Sequence, residues 1–258
     1  MKSYNLKTKK AAALALFALC IFHFAFCQTI LTAPGLASFK KKAASGGGGG
    51  GFTYTIVTNA IGQGAGTATV SGIDTTGANL IACNLDWFSS TRTFKDNKGN
   101  TYTTGTSYGA TGGTYSNVWV YCINPAIGSG HYFTNTANFT VLHVVAAKKS
   151  SGTPAFDVQN GLNYPGGNTT TLQPGSITPS VDNELILAGF CCNDAGGGKA
   201  TNVVINSSFV TLGQTQQGGN LLYGGAFSKI QTTAASENPT LTFAHTISQA
   251  SLSIISFK

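Results

Sequence analysis

The stretch from Ala78 to Thr104, ANLIACNLDWFSSTRTFKDNKGNTYTT, sets the fold class. Across Leu80 to Trp87 the side chains alternate: Ile81, Cys83, Leu85 and Trp87 project to one face, and Asn84 and Asp86 to the other with the small Ala82. That pattern predicts a strand buried mainly on one side. Just downstream, Thr91 to Phe94 and Asn100 to Thr104 flank Lys95-Asp96-Asn97-Lys98-Gly99. Asp, Asn and Gly together favour a tight reversal with a residue at positive φ, so a hairpin is expected here.

The same grammar recurs to the C-terminus. Short β-rich runs separated by Gly, Asn, Pro and Ser clusters occur at Thr53 to Thr58, Gly66 to Val70, Leu80 to Trp87, Ser116 to Ile123 and Phe139 to Ala147. They continue at Glu184 to Cys192, Phe209 to Thr215, Leu221 to Ile230, Thr240 to Phe243 and Ser251 to Phe257. No helical periodicity competes with them, and Pro125, Pro154, Pro165, Pro174, Pro179 and Pro239 all fall in the connections. An all-β sandwich or barrel follows. The order of elements also runs twice: Val70 to Thr76 leads into Asn79-Leu80-Ile81-Ala82, and Gly175 to Ser180 leads into Glu184-Leu185-Ile186-Leu187. Each half then passes through an aromatic strand and a turn to a closing β run. Two similar sets of strands pack most simply as two facing sheets, so the expected fold is a two-sheet, jelly-roll-like β-sandwich of two similar halves over residues 52–258.

The N-terminus reads differently. Lys2, Lys7, Lys9 and Lys10 precede an apolar run from Ala11 to Phe26, the layout of a secretory signal peptide. The run is short for a membrane span, which needs about 20 apolar residues, so contact with a membrane is expected only if this segment is not cleaved. Ala25-Phe26-Cys27 places cleavage after residue 27. Residues 28–51 form a low-complexity Lys- and Gly-rich tether ending in the six glycines Gly46 to Gly51. No Lys-Ser/Thr pair follows them, so they are not a phosphate loop. The expected setting is extracellular or cell-surface.

The formal net charge of +7 is an N-terminal property. Seven of the 15 Lys and Arg lie before residue 52, which leaves eight against all eight acids in the domain. A formally neutral domain lacks the electrostatic footprint of a nucleic-acid binder. Of the six cysteines, Cys83, Cys122, Cys191 and Cys192 lie in the domain, in apolar runs that suit a small hydrophobe. Export permits disulfides, and their pairing stays open.

Several segments, Gly77-Ala78-Asn79-Leu80-Ile81, Asp96 to Tyr102 (DNKGNTY), Val118 to Pro125 (VWVYCINP), Thr178 to Ala188 (TPSVDNELILA) and Ile254-Ile255-Ser256-Phe257, resemble a family of β-sandwich domains common in secreted bacterial proteins and phage tail proteins. The resemblance covers nearly all of residues 52–258. It implies a jelly-roll-like fold at a cell or particle surface, and it brings no catalytic residue.

Chemistry gives little to an enzyme reading. No GxSxG elbow and no carboxylate couple stands out, His143 sits inside the apolar run VLHVVA, and Ser251 and Ser253 alternate with Leu252 and Ile254 as an outward strand face does. No catalytic residue and no cofactor is assigned. Asp96, Asn97 and Asn100 around Gly99 could offer oxygen ligands to a cation, as could Asp194 beside Gly196-Gly197-Gly198, but turns use these residues for backbone reasons, and no metal site is assigned. Binding has the better case. Thr101 to Asn117 (TYTTGTSYGATGGTYSN) and Asn160 to Thr171 (NGLNYPGGNTTT) are uncharged Tyr, Thr, Ser, Asn and Gly loops, a composition suited to stacking and hydrogen bonding. Tyr108, Tyr115 and Tyr164 are the candidate platforms, with Asn163 and Asn168 beside them, for a neutral glycan or cell-surface ligand. Trp87 and Trp119 alternate with apolar neighbours and read as core. The alternative is a structural component of a matrix, envelope or particle that self-associates through sheet edges.

Overall fold

A computed structural model describes residues 51–88, 91–109, 115–193, 202–217 and 222–258, all within the second of the chain's two units, Gly49–Lys258. The leader, nearly all of the tether, Asp194 with its glycines, Leu221 and residues 110–114 of the first loop lie outside the described residues. Every described element is a strand. The first half contains β1 (Tyr54–Ile73), β2 (Leu80–Phe88), β3 (Thr93–Asp96), β4 (Thr103–Thr104), β5 (Tyr108–Gly109), β6 (Tyr115–Ile123) and β7 (His131–Lys149). The second contains β8 (Phe156–Tyr164), β9 (Thr169–Leu172), β10 (Glu184–Cys192), β11 (Val204–Ile205), β12 (Val210–Gln217), β13 (Leu222–Gln231), β14 (Leu241–Ile247) and β15 (Ala250–Phe257).

The long β1–β7 ribbon explains the architecture. Its register shifts between Gly64 and Gly66, opposite Asn138 and Phe139, where Phe139 takes a φ of 46°. The ribbon folds back on itself at this corner. A Cβ on Gly62 would lie 2.1 Å from the Thr69 carbonyl oxygen, and one on Gly64 would lie 1.8 Å from that of Thr67, so only glycine permits the closure. Residues 54–64 and 140–149 therefore belong to an inner sheet in the order β1-β7-β2-β6-β4, with β5 also on β6. Residues 66–73 and 131–137 form an outer sheet with β3, which pairs with β7.

The second half repeats this plan with the corner cut. Its inner sheet runs β8-β15-β10-β13-β12 and its outer sheet β9-β14-β11. Numbered by position from 1 to 8, each half has the inner order 1-8-3-6-5 and the outer order 2-7-4. That is a jelly roll with one change: its fifth strand pairs with the sixth instead of extending the outer sheet. Two similar halves, expected from the sequence, are thus present element by element.

The layers stack outer, inner, inner, outer. In the first half, Ile81, Cys83, Leu85, Val118, Val120, Leu142 and Val144 pack under Ala68, Val70, Phe133 and Ala137 of the outer sheet. In the second, Ile186, Ala188, Phe190, Leu252 and Ile254 pack under Leu172, Leu241, Phe243 and Ile247. Between the inner sheets lie Leu80, Ala82, Trp119, Val145, Leu185, Leu187, Ile255 and Phe257. Full burial of each such large side chain contributes roughly 1.5–3 kcal/mol. Trp87 and Trp119 are both core, as expected.

Three expectations change. The sequence predicts two facing sheets, and the inner pair matches, but each also carries an outer sheet. Strand β2 is consequently buried on both faces, and Asn84, Asp86, Ser251 and Ser253, read as outward, are all buried between the inner sheets. The hairpin at residues 91–104 does not form, because β3 pairs with β7 and β4 with β6. The segment still turns where expected, with Gly99 at a φ of 72°, but it arches from the outer sheet to the inner one.

Candidate functional site

The arch between β3 and β4 is held by one carboxylate. Asp96 accepts hydrogen bonds from the amides of Lys98 (3.1 Å) and Asn100 (3.1 Å), from Asn100 Nδ2 (2.6 Å), from the Tyr102 hydroxyl (2.8 Å) and from His131 Nε2 (3.1 Å). Burial pushes its carboxyl up, but the bonds from Asn100, Tyr102 and His131 outweigh that and hold it below the usual range. An ionised Asp96 can only accept, so His131 donates through Nε2. Its Nδ1 meets the Thr75 hydroxyl at 2.9 Å. Thr75, His131 and Asp96 thus form an alcohol–imidazole–carboxylate chain, yet Thr75 and His131 are fully buried and Thr75 is tied to Gly128. This chain locks loops together and has no access for a substrate. The oxygen atoms considered as cation ligands at Asp96 and Asn100 are spent inside the turn. Among the described residues no group of His, Cys, Asp and Glu is placed to hold a metal ion.

Because the fifth strand joins the inner sheet, the outer edge strand β3 is left without a neighbour on that side. A cleft of about 280 Å³ opens there, lined by Arg92, Phe94, Lys95, Asp96, Gly99, Asn100, Tyr102, Thr104 and Val120. Phe94 and Tyr102 form an edge-to-face pair on its wall, with ring centroids 4.8 Å apart. The same displacement opens a cleft in the second half, of about 480 Å³, between Asn202 and Val203 on one side and Thr211, Gln214, Thr215, Gln216 and Tyr223 on the other. Here the Gln214 side chain is held by the Val203 backbone and the Tyr223 hydroxyl.

The predicted binding residues separate. Tyr115 is 5% exposed, packs edge-on against Phe88 at 5.2 Å, and has its hydroxyl pushed up to about 12 by burial. It cannot serve as an open platform, because β6 turns its ring inward against Val141, Cys191 and Leu222. Tyr108 and Asn163 do come together. The Tyr108 ring covers Gly161, where a Cβ would stand 2.4 Å from it, and the Gly109 amide donates to Asn163 Oδ1 at 2.7 Å. Tyr108 is half-buried by this contact, and burial raises its hydroxyl pKa. Tyr164 is half-buried against the second-half core, and Asn168 is exposed beyond it. Gln159 faces Thr106 and Asn163 faces Gly109, so Tyr164 and Asn168 lie toward the far end of this seam from the cleft.

Apart from Asn163, the residues that close the seam carried no signal when read singly. On one side of the sandwich, Gln159 Nε2 donates to Thr106 Oγ1 (2.7 Å) and its Oε1 accepts from the Thr106 amide (3.1 Å), beside the Asn163 bond. On the other side, Asn59 Nδ2 donates to the Leu212 carbonyl (3.3 Å) and the Thr215 hydroxyl donates to Gln63 Oε1 (2.5 Å). Position 1 of each half thus reaches position 5 of the other through a pair of amides four residues apart. That repeated spacing is the signal that could have identified them.

Between the inner sheets lies a second polar group. Asn117 Nδ2 donates to Asp86 Oδ1 (2.5 Å) and to Asn84 Oδ1 (2.9 Å), and the Ser253 hydroxyl donates to Asn117. Asp86 Oδ2 and His143 Nε2 stand 3.9 Å apart, each without a hydrogen-bond partner. Burial pushes the Asp86 carboxyl well up and His143 down to about 3, which favours the uncharged form of each. Among the described residues no disulfide joins Cys83, Cys122, Cys191 or Cys192.

No family model, no curated protein and no solved structure matches this chain.

Proposed function

We propose that this protein is an exported, non-catalytic binding module that holds a saccharide or a surface ligand in the cleft between β3 and β4. The observation that carries the reading is the displaced fifth strand, which opens a cleft at the same topological position in both halves. In the first half that cleft sets an aromatic pair beside the Thr104 hydroxyl and the Arg92 and Lys95 side chains on a rigid scaffold, a chemistry suited to a sugar. Tyr102 and Thr104, from the Thr101 to Asn117 stretch already distinguished by its composition, supply part of the wall. The leader supports export, and the resemblance to secreted and phage-tail sandwich domains supports a surface setting. The buried Thr75–His131–Asp96 chain and the buried Asp86–His143 pair account for His131 and His143 without catalysis.

A glycan array probed with the purified protein tests the reading. Retention of a glycan, lost when Thr104→Trp fills the cleft at an unchanged melting temperature, supports it. Retention unaffected by Thr104→Trp moves the site elsewhere, with the Tyr108 and Tyr164 seam next in line.

A second reading rests on a separate observation. Val204 and Val210 are each 63% exposed, on the edge strands β11 and β12, and edge strands with bare apolar residues favour pairing with another copy. A self-associating structural component then shows concentration-dependent mass in solution, abolished by Val204→Lys with Val210→Lys.

A further inference from the structure

We propose that the first-half cleft recognises an acidic group on its ligand, the carboxylate or sulfate of an anionic saccharide, with the Arg92 guanidinium as the principal contact and Lys95 as a second charge. This rests on the saccharide-binding reading and names the ligand class for the same site.

Among the described residues Arg92 is an unmatched charge. Arg92 lines the cleft with its guanidinium carbon 5.1 Å from the centre of the Trp87 ring, and Trp87 is itself buried. Stacking on an aromatic face leaves the in-plane N–H fork of an arginine available, the geometry that grips a carboxylate or sulfate through two bonds. Arg92 is half-buried, and that burial lowers its pKa. Charges removed from water normally find a counter-charge. Among the described residues no carboxylate lies within ion-pair distance of Arg92 or Lys95.

The one acid on the cleft wall is committed elsewhere. Asp96 already accepts from two backbone amides and from Asn100, Tyr102 and His131, which also uses the Asn100 amide and the Tyr102 hydroxyl. Lys98, on the same arch, turns its ammonium away to the Ser129 carbonyl at 3.4 Å and does not line the cleft. Two cations, Arg92 and Lys95, thus line the cleft with one carboxylate whose charge is enclosed by donors. The formal neutrality of residues 52–258 points to a neutral ligand only if the charges are evenly spread, and here they are not. The second half supplies the contrast, because the described residues lining its equivalent cleft include no charged side chain.

The test compares matched glycans: a hexuronate oligosaccharide, its carboxyl-reduced neutral counterpart and a sulfated counterpart, each at low and high salt, with free glucuronate as a fourth probe. The acidic members are expected to bind about tenfold or more tightly than the reduced one, with affinity falling as salt rises. Arg92→Gln should remove that preference, and Arg92→Lys should restore only part of it because the fork is lost. Lys95→Gln, at an exposed position, should weaken acidic ligands several-fold at an unchanged melting temperature, and it decides the matter if Arg92→Gln fails to fold. Preference of sulfated over carboxylated members, or the reverse, identifies which anion is read, and either supports the proposal. Equal, salt-independent binding of acidic and reduced glycans overturns it and leaves saccharide binding standing. Glucuronate binding that depends on Arg92 while no oligosaccharide is retained supports the anion site and overturns the saccharide reading. No response to any probe overturns both.

Discussion

The first half contains two buried Asp–His pairs, and their carboxyls are shifted in opposite directions. Asp96 lies 3.1 Å from His131 with a carboxyl held below the usual range, and Asp86 lies 3.9 Å from His143 with a carboxyl pushed well above it. Both carboxylates are enclosed and both have an imidazole nearby, so neither burial nor the histidine decides the outcome. Donors decide it. Asp96 collects two backbone amides, an Asn, a Tyr and a His on a turn shaped to present them, whereas Asp86 sits on the flat face of β2 where only Asn117 reaches it. An arch converges N–H groups on one point, and a sheet face spends its own on the neighbouring strands.

The largest expected effect removes the Asp96 carboxylate. Asp96→Ala leaves His131, Tyr102 and two turn amides without an acceptor and should cost about 3–5 kcal/mol in chemical denaturation, the range for a buried pair that loses one partner. Asp86→Asn should instead stay within about 1 kcal/mol near neutral pH, because it replaces an uncharged group with a similar one. A large loss from Asp86→Asn together with a small one from Asp96→Ala would reverse the comparison.

Next in size is the space around Asp86. A Cβ on Gly224 would stand 2.3 Å from Asp86 Oδ2, so Gly224→Ala should cost about 2–3 kcal/mol as the inner sheets are wedged apart. Much of that loss should disappear in the Asp86→Ala background. A double-mutant cycle with no coupling would show that the sheets yield at another point.

Stability against pH separates the two carboxyls by sign. The folded pKa of Asp96 is lowered, so its contribution is present above its unfolded value of about 3.9 and is lost as pH falls below it. Asp86 is raised, so its contribution is present below that same value of about 3.9 and is lost as pH climbs toward the folded pKa. His143, pushed down to about 3 from an ordinary value of about 6.5, contributes above 6.5 and loses that contribution on acidification toward 3. Asp86→Asn should therefore flatten the profile above pH ~4, and His143→Gln should flatten it between about 6.5 and 3. Melting curves across this range check both. Identical profiles for wild type and Asp86→Asn above that point would mean that Asp86 is ionised in the fold.

The smallest effect concerns the seams. Asn163→Ala removes a single bond to the Gly109 amide at a partly exposed edge and should cost about 1 kcal/mol. Asn59→Ala should cost no more, because its bond to the Leu212 carbonyl is longer, at 3.3 Å.

Much of this architecture is legible in the chain. All ten β-rich runs fall within or overlap strands, Glu184 to Cys192 coincides with β10, and the repeated order of elements corresponds to a repeated jelly roll. Faces and partners are less legible. Alternation in β2 distinguishes two sides, but Asn84 and Asp86 look solvent-facing because nothing local announces that Gly189 and Gly224 leave room for them on the opposing sheet. Strand β8 (FDVQNGLNY) reads as a loop because its polar residues work across a seam instead of in water. Tyr115 follows a Gly/Thr run typical of a surface loop, and only the long-range contact with Val141, Cys191 and Leu222 makes it core. The cleft was half visible. Its Thr101 to Thr104 wall stood out by composition, but Arg92 and Phe94 belong to a different sheet, and only the crossing of the arch brings them opposite.

The reciprocal amide seams have a consequence for assembly. Strand β1 of the first half lies against β12 of the second, and β8 of the second lies against β4 and β5 of the first, so each half completes the flank of the other. The molecule is organised as a two-fold dimer whose subunits happen to share one chain, with residues 150–155 as the link. Severing that link leaves every strand of both jelly rolls intact. The two fragments, produced separately, should then be obligate partners that meet through the apolar layer around Trp119 and Phe257, each insoluble alone and correctly registered together by four amides. The tether between halves would thus set local concentration, and the side chains would set the geometry.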